Sequence, residues 1–160
     1  MSSSDITVYT CITGGKDELL DGQKVHGAEQ VAFIDTPHFT KEWKQSMLNN
    51  VFEDPRRNSR LPKMLAHKYI DTEYSIYIDG NIRILTDPKK LIERYLKDTD
   101  LAVCKHPVRD CLYDEAKACL QMGLDDPEVI IEQAKIYEQN CFAKHKGLCE
   151  CGIIFRRHTP

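Results

Sequence analysis

The chain has 160 residues, of which 41% are hydrophobic and 29% charged, and its net charge is −3. This length suits one domain whose core removes roughly two thirds of the unfolded surface from water. The near-neutral balance excludes a global field that would draw nucleic acid or an anionic membrane, and no apolar run approaches the roughly 20 residues of a membrane span.

Met1-Ser2-Ser3-Ser4-Asp5 lacks the basic and apolar regions of a signal peptide. Seven cysteines form an odd set without disulfide-scaffold spacing, which points to a reducing, cytoplasmic compartment. Residues 6–12 read as the first strand, with Gly14-Gly15 as its turn. Residues 30–34 form a second strand ending at Asp35-Thr36-Pro37, and the amphipathic stretch 40–50 reads as partly helical. Residues 54–58 make a basic loop, and Leu61, Met64, Leu65 and Lys68 fall at helical spacing in a helix over 59–69.

Residues 74–78 form an apolar strand that stops abruptly in Asp79-Gly80-Asn81, followed by a short extended piece over 82–84. Asp87-Pro88 opens a helix through Leu96, with Asp as cap and Pro at the first position. Residues 101–104 are a strand. Asp110 caps a helix to Met122 that Gly123 closes, and Asp126-Pro127 starts another to about Gln139. Residues 152–155 are the last strand, before Arg156-Arg157-His158. Strands alternating with helices imply an α/β fold with a mostly parallel sheet. Without repeats or linkers, residues 1–160 read as a single domain.

The Asp79-Gly80-Asn81 tip carries the most chemistry. Carboxylate and amide oxygens two residues apart suit a hard cation, Mg²⁺ or Mn²⁺, and Gly80 lets the backbone approach a ligand. Ligands of open α/β sheets bind beyond the carboxyl ends of strands. The plainer reading is a strand-ending turn, since these are ordinary turn residues. Upstream, Arg56, Arg57, Arg60 and Lys63 supply the guanidinium and ammonium groups that a diphosphate needs; a solvated helix start is the alternative. Thr10, Thr13 and Gly14 at the end of the first strand, and Asp35 at the end of the second, offer groups for a base and ribose, or simple turn satisfaction. Glu150 and His158 flank the last strand, as a catalytic carboxylate and a metal ligand or as surface residues. Cys141, His145, Cys149 and Cys151 are zinc-type ligands, but the stretch lacks a C-x₂₋₄-C knuckle.

The order of motifs is distinctive: Val8 to Gly15, Arg60-Leu61-Pro62-Lys63, Ser75 to Ile82, His106-Pro107 with Arg109-Asp110-Cys111, Glu150, Gly152 and Arg156-Arg157-His158. This series resembles the glycosyltransferase-like domain of the plant mucilage and pollen-turgor proteins, with bacterial and algal-virus relatives. The resemblance runs from Val8 to His158. It implies a GT-A-like, Rossmann-type sheet that binds a nucleotide sugar, with a divalent metal at an Asp-x-Asp-type motif matched by Asp79 and Asn81. Thr10, Thr13, Asp35, Arg60 and Lys63 would face the nucleotide sugar; Arg109, Asp110 and Glu150 would lie toward the acceptor. Asn81 stands where the general motif has a second carboxylate, which weakens metal binding. Family members continue past Arg-Arg-His with an aromatic and acidic segment, so the domain reads as cut short at its C-terminus.

The expected activity is transfer of a hexose or deoxyhexose from a UDP-type donor to a glycan hydroxyl. Mn²⁺ or Mg²⁺ and the basic cluster would neutralise the leaving diphosphate, and Asp110 or Glu150 would be the base. Rival readings are a phosphohydrolase with Asp79 as nucleophile, a non-catalytic nucleotide-sugar-binding module and a zinc-stabilised interaction domain.

Overall fold

The computed structural model describes residues 5–22 and 24–159; the reading of Met1 to Ser4 lies outside the described residues. The elements are β1 (Ile6–Ile12), β2 (Glu29–Ile34), β3 (Lys44–Met47), α1 (Pro55–Met64), a 3₁₀ turn (Ala66–Lys68), β4 (Tyr74–Ile78), α2 (Pro88–Tyr95), β5 (Leu101–Lys105), α3 (Leu112–Met122), α4 (Pro127–Gln139) and β6 (Cys149–Arg157). The expected α/β class is present: six strands form one mixed sheet in the order β3-β2-β1-β4-β6-β5. β1 pairs in parallel with β2 and with β4, β2 pairs in parallel with β3, and β6 runs antiparallel to β4.

This order decides where a ligand can sit. The chain steps outward from β1 to β3, then returns to lay β4 on the other side of β1. The reversal leaves a crevice beyond the carboxyl ends of β1 and β4, the usual binding position in open α/β sheets.

Both faces of the central strands are covered, so β1 and β4 are buried along their whole length, as parallel strands between helical layers are. Side chains alternate between the faces. Val8, Ile12, Ile76 and Ile78 pack with Ile92 of α2 and Leu96. Tyr9, Cys11, Tyr77 and Ile154 face the opposite way, against Ala66 and Ile70 that follow α1. Tyr9 and Tyr77 are register partners whose rings meet edge to face at 5.3 Å.

Four elements differ from the sequence expectations. β6 spans Cys149–Arg157 rather than 152–155, so Glu150, Arg156 and Arg157 lie within the strand and do not flank it. The 40–50 stretch is not helical. Thr40 Oγ1 accepts the Glu42 and Trp43 amides, Trp43 buries its ring and donates Nε1–H to Leu20 O, and Lys44–Met47 pairs with the open edge of β2; edge pairing outweighs a weak helical pattern. α1 starts at Pro55 rather than Ser59, because Asp54 caps it by accepting the Arg56 amide at 2.9 Å. The cap position of α3 is Cys111, not Asp110, and makes no side-chain cap bond.

By its internal packing the chain divides into two compact units. The first comprises the residues up to Val103 with those from Gly152; the second is Cys104–Cys151. The boundaries fall within β5 and β6. In the second unit α3 and α4 pack together, and Tyr113 Oη donates to Phe142 O at 2.7 Å. No described helix is long and apolar enough to cross a membrane.

Candidate functional site

A cleft of about 210 Å³ opens at the topological reversal of the first unit. Cys11, Ile12 and Thr13 line it from the end of β1, and Tyr77, Asp79, Gly80 and Asn81 from the end of β4. Lys16 and Asp17 come from the loop after β1; Arg56, Ser59 and Arg60 come from α1. The α1 residues follow from its early start. Arg56, Ser59, Arg60 and Lys63 stand at i, i+3, i+4 and i+7, one stripe of a helix. A helix beginning at Ser59 would have left Arg56 in a loop.

Glycine is required twice here. Gly14 has φ +66°, and a Cβ on it would lie 2.5 Å from Pro55 Cβ. A Cβ on Gly80 would lie 2.9 Å from Asp17 Cβ. Both are below real contact distances, so the loop after β1 closes on α1 and on the β4 tip only because these side chains are absent.

Asp79 is held by a network on the α1 face of the sheet. Its Oδ1 accepts from Lys63 Nζ at 3.0 Å and from Tyr77 Oη at 2.7 Å. Lys63 is buried and its ammonium lies 4.6 Å from the centre of the Tyr77 ring. Burial first, and then the bond to Asp79, raise the Tyr77 hydroxyl far above its ordinary range, so it stays a donor. Beneath, Arg156 donates to Tyr9 Oη at 3.0 Å and to Lys63 O at 2.8 Å, and Tyr9 Oη reaches Pro62 O. Burial pushes Cys11 up to about 12, so the cleft holds a neutral thiol rather than a nucleophile.

Thr13, Arg60, Asp79, Gly80 and Asn81 come together as the sequence suggests, with Lys63 directly behind Asp79. Others do not join them. Thr10 is buried within β1, two residues short of the strand end and on the face opposite Asp79's network, with no partner for Oγ1 among the described residues. Gly14 and Asp35 satisfy each other, Gly14 N–H donating to Asp35 Oδ2 at 2.8 Å. Arg57 stacks on Phe52, 4.3 Å from its ring centre. His158 lies at the start of β4, where Nε2 is 2.8 Å from Ser75 Oγ and its amide donates to Glu73 O. Four residues of strand, about 13 Å, separate Ser75 from Asp79, so a ligand set of Asp79, Asn81 and His158 is not assembled.

Asp110 and Glu150 belong to the second unit. Asp110 Oδ1 lies 2.8 Å from His145 Nδ1, which holds its carboxyl below the usual range and raises His145. Arg109 pairs with Glu115, and Glu150 is exposed on β6. Lys16, Asp17, Ser59 and Tyr77 were not foreseen. Tyr77 had a signal, since it shares strand parity with Asp79.

The donor set can be weighed against a divalent cation. With Oδ1 of Asp79 committed, Oδ2 and the Asn81 amide oxygen remain. Mg²⁺-type ions often use one or two carboxylates and take their other ligands from phosphate and water. These residues fit an ion that arrives with a phosphate, and do not fit one held by protein alone.

A family profile described as TOD1/MUCI70, glycosyltransferase-like domain, matches residues 17–160. The chain belongs to this family. The match begins at Asp17, so β1, with Thr10, Thr13 and Gly14, lies outside it. Similar curated proteins include the "Probable hexosyltransferase MUCI70" of Arabidopsis thaliana, 28% identical over 130 residues, which is 74% of this chain and 22% of that protein. The "Alkaline ceramidase TOD1" of Arabidopsis thaliana is 33% identical over 78 residues, 47% of this chain and 17% of that protein. The chain thus spans about a fifth of the length of these relatives.

Proposed function

We propose that the chain is the donor-binding part of a glycosyltransferase, and that its cleft takes the diphosphate of a UDP-type sugar. The observation that carries this is the make-up of the cleft: Lys16, Arg56 and Arg60 against Asp17 and Asp79, at the strand reversal where such folds bind nucleotides. Guanidinium forks bind phosphate oxygens in pairs. As the bond between C1 of the sugar and the diphosphate breaks, these cations stabilise the charge that gathers on the leaving group. Asp79 Oδ2 and Asn81 would hold Mn²⁺ or Mg²⁺ carried in with the phosphates. A bound ion would add Lewis-acid neutralisation of the same charge.

The acceptor is a glycan hydroxyl and the transferred unit a hexose or deoxyhexose; the relative named a probable hexosyltransferase supports this class. Of the two carboxylates expected to serve as base, Asp110 is already paired with His145, whereas Glu150 is exposed. The name of the ceramidase relative favours a lipid substrate, but three cations and two carboxylates in so small a cleft suit a phosphate better than an acyl chain. Asp79 as a phosphohydrolase nucleophile fits poorly, since two donors already occupy its Oδ1.

Calorimetry with UDP, with and without Mn²⁺, tests the proposal, followed by UDP-sugar turnover with glycan acceptors. Saturable UDP binding that Arg60→Ala weakens supports it. No UDP binding, or cleavage of ceramide or an aryl phosphate in its place, overturns it.

A further inference from the structure

The second unit gathers another set of reactive side chains that donor binding does not use. Cys111, Asp114 and His145 each place one ligand atom within 4.8 Å of the other two. Cys111 stands at the cap of α3 and Asp114 in its first turn, three residues on, so both lie at one side of the helix start. His145 arrives from the loop after α4 with φ +55°, a left-handed conformation uncommon outside glycine.

That loop is tied down on either side of His145. Tyr113 Oη donates to Phe142 O at 2.7 Å, Gly147 N–H to Asp110 O at 3.0 Å, and His106 N–H to Leu148 O at 2.8 Å. The imidazole is oriented as well, with Nδ1 2.8 Å from Asp110 Oδ1. A carboxylate on the ring of a ligating histidine is the usual outer partner in metal sites.

The ligand types choose the ion. Thiolate, imidazole and carboxylate together suit a borderline-soft cation, whereas Mg²⁺ and Ca²⁺ take oxygen alone. Zinc bonds of about 2.0–2.3 Å put tetrahedral ligands roughly 3.3–3.8 Å apart, a short contraction from the present spacing. Cys111 is 2% exposed, which suits a ligand and not a nucleophile that must reach a substrate. The stretch from Cys141 to Cys151 contributes His145 alone to this cluster; Cys141, Cys149 and Cys151 are outside it.

We propose that Cys111, Asp114 and His145 bind one zinc-class divalent ion, with Asp110 orienting the imidazole and water completing a tetrahedron. The ion joins the start of α3 to the loop after α4 and closes the second unit. The site stands independently of the donor reading.

The test uses the full chain stripped with a chelator and titrated with Co²⁺, then with Zn²⁺. One equivalent of Co²⁺ produces a thiolate-to-cobalt charge-transfer band, which one equivalent of Zn²⁺ removes. Cys111→Ser abolishes the band. His145→Ala and Asp114→Asn weaken Co²⁺ binding at least tenfold, and Asp110→Asn weakens it about tenfold or more. Asp79→Asn leaves the band unchanged, which separates this site from the donor cleft. Zn²⁺ raises the melting temperature of the parent and not of His145→Ala; the His145 side chain is 61% exposed, so its loss leaves the fold standing. Absence of a thiolate band, a band that survives Cys111→Ser, or one lost only when Cys149 and Cys151 are changed overturns the proposal.

Discussion

Lys63 Nζ lies 3.0 Å from Asp79 Oδ1, joining the end of α1 to the tip of β4. The lysine side chain is 6% exposed and the aspartate side chain 40%. The pair closes the back of the cleft and sets the charge that a ligand meets.

Asp79→Ala leaves a buried ammonium without its counter-charge. The expected loss is about 2–3 kcal/mol in urea unfolding. Adding Lys63→Met to Asp79→Ala restores most of the stability, because the stranded charge goes with it, but UDP affinity stays lost. Equal instability of the single and double variants would show that the pair does not hold the cleft.

Arg60→Ala and Arg56→Ala should each weaken UDP binding about 10- to 100-fold, the worth of a hydrogen bond to a charged group. The effect shrinks in high salt, as expected for partly exposed charges. Arg57→Ala is the control, since Arg57 stacks on Phe52. A loss at Arg57 as large as at Arg60 would relocate the phosphate site.

Arg156 does not line the cleft, yet its guanidinium bonds Tyr9 Oη and Lys63 O. Arg156→Met should lower stability by about 1–3 kcal/mol and weaken UDP binding through displaced Lys63. Arg156→Lys recovers little, because one ammonium does not span the two acceptors as the planar fork does. Full recovery by lysine in both assays would refute this positioning role.

Gly80→Ala forces its new Cβ against Asp17, and Gly14→Ala forces its own against Pro55 at a positive φ. Both should destabilise by about 1–3 kcal/mol, with Gly14→Ala the worse for combining overlap and backbone strain. Thermal melts rank them; a neutral Gly14→Ala would contradict the closed loop.

Burial, then Arg156 and His67, hold His158 below its ordinary 6.5. The folded protein therefore binds this proton less readily than the unfolded chain. The associated stability is present above pH 6.5 and is lost as the pH falls through the lowered value. His145 is shifted upward by Asp110, so its contribution is present below pH 6.5 and fades as the pH rises. Urea midpoints at pH 5 and 7.5 should fall less on acidification in His158→Gln than in the parent. An unchanged difference would exclude His158 from the acid response.

Local chemistry was legible in the chain itself. β1 and β4 are runs of apolar residues, and Asp-Pro pairs cap α2 and α4 because a short carboxylate accepts the helix's first free amides and proline needs none. The same signal opened α1 at Asp54-Pro55, where the basic residues obscured it. The Asp79-Gly80-Asn81 tip was likewise visible, because a strand end and its turn are written in neighbouring residues.

What the tertiary structure alone decided is which groups meet. Alternation along β1 separates Thr10 from Thr13, but only the docking of α1 shows that Thr13 meets Pro55 at the edge of the cleft. β3 pairs because β2 has an open edge. Lys63 reaches Asp79, and Asp110 reaches His145 across 35 positions, because the sheet order and the helix docking bring them together. Residues a few positions apart interact through dihedral preferences and capping, which sequence encodes directly. Residues far apart interact only after the core has chosen its packing, and that choice belongs to the chain as a whole.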